Sequence, residues 1–475
     1  MQTRLLNRET GDLPADSFAR ETTSELLSTF AAAPQHRFDG QLSFASTGAF
    51  PAAHDNRPHE LRAHGAGVSS LAIDKFDGRV LLSGGSDGGI KLWDLESCSS
   101  PHEVHTFRPV ATVARTPAGD KGRGHSHGVT HLAFYPFDPD AFLSSSYDKS
   151  LKLWSTERAQ LTAHFDLNAT IYSHAMSPVA EHLLVSCATQ HSNVRLIDLK
   201  SGAAVQALVA HGGPVLATAW SPRDEHILVS GHADGKARVW DIRRSGGVLA
   251  LLDQEDSLGI VHRFRQGVPL QSRSSAQAHD DAVNAVSWTD DGKHIISAGL
   301  DNRIRVWDAA TGKNTLASYG AVVQNQQTKT ASIVTPPTGL SLGRQIMFWP
   351  NEQEIMMLDL HEGHLLGRLR SPGASNPLGR QGQMARNKIT GIAWRSAGGG
   401  GRIMGPVMGG GNSIGALYSS HLDGNIRAWM PQLKTREDFV DQEEEAGEDE
   451  EARKKKRKAV DDAYRSLMGK QVTFT

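Results

Sequence analysis

The sequence predicts an all-β fold: seven small sheets closed into a ring, a β-propeller, with an N-terminal helix-turn-helix arm and a disordered charged C-terminal tail. Three observations lead there. A phrase ending in Trp recurs five times, each with an Asp six positions earlier: Asp87 and Trp93, Asp148 and Trp154, Asp234 and Trp240, Asp301 and Trp307, Asp423 and Trp429. A Ser precedes each of these Asp residues by four: Ser83, Ser144, Ser230, Ser297 and Ser419. His64, His127, His211 and His279 lie roughly twenty residues upstream in their units, about two strands and a turn, as a propeller blade requires.

Each unit reads as short antiparallel strands. In the first, residues 68–73 alternate apolar and small, 80–83 form a second strand, Ser86-Asp87-Gly88-Gly89 a turn, and 90–93 a third strand. The repeated polar residues fit one hydrogen-bond chain. Trp only donates, carboxylate only accepts, and Ser and His do both. A Trp–Ser–His–Asp tetrad therefore satisfies its buried polar groups. A single sheet cannot bury both of its faces, so copies pack around an axis. Two worn copies bring the number to seven. One runs over roughly 164–199, with Ile197 where Trp is expected, and the other over roughly 315–360.

Before the first repeat, residues 1–35 read as the arm and 36–58 as a linker; 59–432 form the ring and 433–475 the tail. In the arm, Leu5-Leu6-Asn7-Arg8 precedes the breaker Gly11-Asp12-Leu13-Pro14. Asp16 or Ser17 then caps a second helix reaching about Ala33, with Phe18, Leu26, Leu27 and Phe30 as an incomplete apolar stripe. This arm either awaits a partner or lies on its own propeller. Residues 59–63 are candidates for the outer strand of the last blade. Residues 97–124, 253–275, 371–387 and 396–413 read as mobile inserted loops.

Composition narrows the function. The net charge is −2, so no global field favours nucleic acid. Cys98 and Cys187 have no metal spacing and suggest a reducing compartment. No apolar run is long enough to span a bilayer, and the N-terminus lacks the apolar region of a secretory signal. In the tail an acidic run is followed by Arg453-Lys454-Lys455-Lys456-Arg457-Lys458. This basic hexamer reads as a nuclear-import signal or as counter-charge to the acids. A short helix is expected over 460–468.

No enzyme signature assembles. Of 22 histidines, the repeated ones are one per blade and cannot converge on one ion. His125 and His127 alone are poor evidence for zinc. No nucleophile elbow or His-Glu-x-x-His occurs, and the expectation is no enzyme, no metal and no cofactor. Arg243 and Arg244 stand apart. They follow a third strand, which runs away from the face that holds the repeated His and Asp, so they emerge on the opposite face. There Arg243 either meets a partner or pairs with a neighbouring acid.

Trp240-Asp241-Ile242-Arg243 resembles the Trp-Asp-x-Arg box of WD-repeat receptors that dock on the damage-binding adaptor of cullin-four ubiquitin ligases. More of the chain is similar to the Cockayne syndrome A family. The similar segments include Leu81-Leu82-Ser83-Gly84-Gly85-Ser86-Asp87-Gly88, Ile171-Tyr172-Ser173-His174-Ala175-Met176-Ser177-Pro178-Val179, Asp241-Ile242-Arg243-Arg244-Ser245-Gly246-Gly247 and Asn314-Thr315-Leu316-Ala317-Ser318-Tyr319-Gly320. Arg8-Glu9-Thr10-Gly11 and Arg20-Glu21-Thr22-Thr23 resemble that family's N-terminal arm. The likeness spans roughly 5–30 and 60–430 and fades in the sixth blade, the Gly-rich loops and the tail.

The resemblance implies a non-catalytic substrate receptor with a seven-bladed WD-repeat propeller. Its arm would enter the adaptor through Leu5, Leu6, Arg8, Leu13, Phe18 and Arg20, with Arg243 and Arg244 beside it. The implied setting is nuclear: transcription-coupled nucleotide-excision repair, with the Cockayne syndrome B translocase and stalled RNA polymerase two as partners. Two other readings of the same residues stay open. One is a nuclear scaffold of chromatin or transcription with no ligase link; the other is a direct binder of damaged DNA.

Overall fold

A computed structural model of the chain describes residues 6, 9–11, 26–27, 29–41, 61–98, 103–117, 123–244, 247–258, 276–325, 330–336, 344–370, 388–395 and 415–432. They form a seven-bladed β-propeller. Blade 1 consists of Val68–Ile73, Val80–Gly85, Ile90–Asp94 and Pro109–Val113, from the axis outward. Blade 2 follows with Val129–Phe134, Ala141–Ser146, Ser150–Ser155 and Gln160–Asp166. Blade 3 is complete despite its missing Trp: Ile171–Met176, Leu184–Thr189, Val194–Asp198 and Ala204–Leu208. Blade 4 is Val215–Trp220, Ile227–His232, Ala237–Asp241 and Val248–Leu251.

The next two blades depart from four regular strands. Blade 5 has Val283–Trp288, His294–Gly299 and Arg303–Asp308. Its outer place is taken by Asn314, which bridges both Trp307 and Ser257. Blade 6 has Ile346–Pro350, Glu354–Asp359 and Leu365–Arg370. Its inner place is reduced to Val334, whose backbone exchanges hydrogen bonds with Phe348.

Ring closure corrects the reading of the arm. Blade 7 is Ile389–Arg395, Ala416–His421 and Ile426–Pro431, and its outer strand is Phe30–Ala32, not residues 59–63. Phe30 pairs with Pro431 and Ala32 with Trp429. The physical reason is aromatic burial. Phe30 stacks on Trp394 at 5.8 Å and tilts against Phe348 at 6.1 Å between ring centres. A helix continued to Ala33 would forfeit both contacts and leave the Ile426–Pro431 edge unpaired. Leu27 is also buried there, between blades 6 and 7.

Two expected loops likewise carry structure. His36–Phe38, assigned to the linker, pairs in parallel with His105–Phe107. Phe38 packs edge-on to Trp93 at 5.2 Å. The insertion over 97–124 holds the outer strand of blade 1. The insertions over 371–387 and 396–413, and the tail from 433 on, lie outside the described residues.

The core is built at blade boundaries. Between blades 3 and 4, for example, Val194, Leu196 and Leu208 meet Val215, Trp220, Leu228 and Trp240. In six blades the inner strand carries a bulge at its second residue, where the register to the next strand shifts. The bulged backbone frees polar side chains to cross to the neighbouring blade. Ser69 of blade 1 donates to the Val129 carbonyl of blade 2, and Thr390 of blade 7 donates to Val68 of blade 1.

Candidate functional site

The tetrads hold the blades, and two of their histidines differ from the sequence reading. Each Trp indole N–H donates to the repeated Ser hydroxyl: Trp93 to Ser83 at 2.8 Å, Trp154 to Ser144 at 2.7 Å, Trp240 to Ser230 at 2.7 Å, Trp307 to Ser297 at 2.9 Å and Trp429 to Ser419 at 2.8 Å. His64 and His279 take their expected places, with Nε2 at 2.8 Å and 2.7 Å from Ser83 and Ser297. Their Nδ1 atoms face Asp87 at 3.7 Å and Asp301 at 3.0 Å.

In blade 2 the partner is His125, not His127. His125 Nε2 lies 2.6 Å from Ser144 and its Nδ1 2.8 Å from Asp148. His127 is exposed and offers its carbonyl to the Ser146 hydroxyl. His125 lies 19 residues before its Ser, as His64 does, whereas His127 is two residues too close.

In blade 4 the ring of His211 is exposed, and His232 bonds Ser230 at 2.7 Å instead. His211 contributes only its carbonyl, which accepts from Arg238. Asp234 pairs with Arg238 at 2.8 Å rather than with a histidine. Blade 7 repeats this variant. His421 is 2.8 Å from Ser419, and Asp423 pairs with Arg427 at 2.9 Å. Sequence reasoning missed both; Ser-x-His on the second strand was the available signal.

The pairings fix charge states. Burial pushes the pKa of Asp148 up, but hydrogen bonds from His125 and Ser150 outweigh that and hold it well below the usual carboxylate range. Asp301 is held low in the same way by His279 and Arg305 against its burial. Burial holds His125 and His279 neutral, and His232, which also faces Arg238, falls to about 3. These groups face structural partners, and among the described residues no cluster of three or more His, Cys, Asp or Glu could hold a metal ion.

Strand direction defines two faces. The Asp-bearing turns and the loops leading into the inner strands lie on one face. Each third strand runs away from it, so the ends at Asp94, Asp241 and Asp308 reach the far face. Arg243 sits there, its side chain 64 % exposed and locked to the adjacent acid. Its Nε donates to Asp241 Oδ1 at 3.0 Å and its Nη2 to Oδ2 at 2.9 Å. Arg244 Nε is 3.8 Å from the same carboxylate. The Arg243 hydrogen bond holds Asp241 below the usual carboxylate range despite the cost of its burial.

The same rule places Phe30, the start of the first strand. Ile426–Pro431 runs toward the far face, and Phe30 pairs with Pro431 at that end. The chain before Phe30 therefore joins the ring on the face of Arg243. Of the arm, Leu6 and Glu9 are helical, and Thr10 donates back to the Leu6 carbonyl at 2.8 Å before Gly11 turns at φ +82°. Leu6 is 59 % exposed, and Leu26 and Leu27 are helical again. Leu5, Arg8, Leu13, Phe18 and Arg20, and the import signal Arg453, Lys454, Lys455, Lys456, Arg457 and Lys458, lie outside the described residues.

The WD domain, G-beta repeat model matches residues 56–94, 120–155, 202–241 and 270–308, which end on the third strands of blades 1, 2, 4 and 5. The chain is a WD-repeat β-propeller. WD-repeat propellers typically serve as non-enzymatic scaffolds for other proteins. This one is similar to the WD repeat-containing protein ATCSA-1 of Arabidopsis thaliana, with 29 % identity over 66 % of this chain and 77 % of the relative. It is also similar to the ribosome biogenesis protein YTM1 of Phaeosphaeria nodorum, 27 % identical over 52 % of this chain and 55 % of that protein. The ribosome biogenesis protein WDR12 homolog of Drosophila persimilis is 27 % identical over 56 % and 55 %. The chain thus spans about half the length of the ribosome biogenesis relatives. Among the described residues no helix of this WD-repeat propeller is long and apolar enough to cross a membrane.

Proposed function

We propose that this WD-repeat propeller is the substrate receptor of a cullin-four RING ubiquitin ligase in transcription-coupled nucleotide-excision repair. It joins the damage-binding adaptor to the Cockayne syndrome B translocase and to RNA polymerase two stalled at a lesion. The observation that carries this is the shared face: Phe30, the residue at which the chain enters the ring, and the Trp-Asp-x-Arg box lie on one side of the ring. The Arabidopsis relative supports it, because that alignment takes in most of both chains. The Asp-bearing face is left for the client. The chain's part is binding. It holds client lysines near a ubiquitin-loaded enzyme and so turns a bimolecular encounter into an intramolecular one. The basic hexamer addresses the complex to the nucleus.

The ribosome biogenesis relatives favour a second reading, a nuclear scaffold without a ligase link. One experiment separates the two. Purified adaptor is tested for co-purification with the full chain, with residues 1–25 deleted, and with Arg243→Glu. The deletion stops at 25 because Leu27 and Phe30 belong to the ring's core. The ligase reading expects the deletion to abolish capture at unchanged melting temperature, and Arg243→Glu to weaken it by about ten-fold. Capture that survives the deletion unchanged overturns it. Ribosome biogenesis proteins recovered with the full chain from a cell extract, without adaptor, establish the scaffold.

A further inference from the structure

The turns between inner and second strands lie on the same far face as Arg243, and their third residue follows a pattern around the ring. In blades 1, 2 and 3 that residue is Phe76, Phe137 and Val179, three positions past strands ending at Ile73, Phe134 and Met176. These side chains are 37, 43 and 45 % exposed. In blades 4 and 5 the same position holds Arg223 and Asp291, three past Trp220 and Trp288. An exposed apolar side chain at the tip of a polar turn is unremarkable once. Here it recurs at one structural position on three consecutive blades, so the three lie along an arc on a single face.

Both ends of this arc are marked. At blade 7, next to blade 1 in the ring, the arm joins at Phe30. At blade 4 the arc runs into a cleft of about 630 Å³ that Val179 lines together with Arg243, Arg244 and the exposed Leu249. The cleft's charges balance: Arg223, Arg243 and Arg244 stand against Asp224, Glu225 and Asp241. A phosphate backbone would gain little from such a neutral surface, which disfavours nucleic acid here. A protein surface with apolar projections fits, each projection gaining burial against an aromatic or aliphatic tip and orientation from the Arg243–Asp241 fork.

We infer that Phe76, Phe137 and Val179 form an apolar docking track across blades 1–3, and that its occupant is the adaptor that takes the arm and meets Arg243. This rests on the ligase reading. A partner that grips the arm at blade 7 and Arg243 at blade 4 by way of blades 1–3 covers this track. Each tip then belongs to the interface and adds to the affinity that the arm supplies.

The test uses the full chain and purified adaptor, with affinity measured by surface immobilisation. The triple variant Phe76→Asp, Phe137→Asp, Val179→Asp is expected to lose more than about ten-fold in affinity. Its melting temperature stays that of the parent, because these tips lie outside the core clusters. A second measurement does not depend on the variant's folding. A photo-reactive phenylalanine analogue at position 76 or 137 cross-links to the adaptor, and the same analogue at Asp281, on the opposite face, does not. Parent-like affinity of the triple variant, or no cross-link from 76 and 137, overturns the track while the arm deletion still abolishes binding. If the parent chain itself does not bind adaptor, the ligase reading falls and takes the track with it.

Discussion

At the scale of single residues, a tetrad member matters according to what its removal leaves unpaired. Ser230→Ala strips the partner from both Trp240 Nε1 and His232 Nε2, which are buried. Each orphaned group costs about 1–3 kcal/mol. Urea unfolding is therefore expected to show a loss of about 2–5 kcal/mol for this one oxygen atom. His125→Ala is expected to destabilise strongly and His127→Ala hardly at all, and the same contrast holds between His232 and His211. Equal midpoints for His125→Ala and His127→Ala would refute the assignment. The Ser, Asp and Trp positions were legible because they recur at fixed spacing on adjacent strands. The histidines were only half legible. A ring that reaches Ser Nε2-first fits from a loop 19 residues upstream, as His125 does, or from two residues downstream, as His421 does. A His two residues past the Ser marks the second route in blades 4 and 7; the Arg four residues past the Asp does not, because blade 5 has it too while His279 takes the upstream route.

At the scale of elements, the decisive strand is Phe30–Ala32, which pairs with residues some four hundred positions away. Its partners could not be read from its own three residues, and a Phe-Ala-Ala stretch after Leu26 and Leu27 also suits a helix. The sequence of the third strands, in contrast, carried its own register, since apolar residues alternate up to the Trp. Blades 5 and 6 show the limit of that signal. Asn314, bridged to Trp307 and Ser257, and Val334, bridged to Phe348, stand in for whole strands, so no run of alternating residues announces them. Phe30→Ala removes a ring packed between Trp394 and Phe348, and truncations of this kind cost about 3–5 kcal/mol. Deleting residues 1–33 is expected to unfold the ring at lower temperature still, while deleting 1–25 leaves the melting temperature unchanged. A calorimetric scan of the three variants checks this order. Equal melting temperatures for the two deletions would mean that the ring closes without its N-terminal strand.

At the scale of the whole molecule, the propeller was legible because one physical unit is repeated, and its two faces follow from strand direction alone. What the repeat could not convey is how the ring responds to acid. Burial lowers His36 and His131 to about 4 and His232 to about 3, and it also lowers His125, His174 and His279. In the unfolded chain each imidazole binds its proton near pH 6.5. A folded-state pKa below that value means that the unfolded chain takes up protons first as pH falls. Stability from these histidines is therefore full above about pH 6.5 and declines as pH falls below it, for His36 and His131 down to about 4 and for His232 down to about 3. The depressed carboxylates Asp148 and Asp301 add to the loss only below about pH 4, where they protonate in the unfolded chain. Each buried imidazole contributes a slope of about 1.4 kcal/mol per pH unit within its interval. The melting temperature is expected to hold steady from pH 8 to 7 and then fall steeply between pH 6 and 4, ahead of any carboxylate titration. His232→Gln, whose amide can donate to or accept from Ser230 but cannot take a proton in this range, is expected to make that fall shallower. A parallel acid profile for His232→Gln and the parent would show that His232 does not drive the loss. A melting temperature that begins to fall only below pH 4 would assign it to the carboxylates.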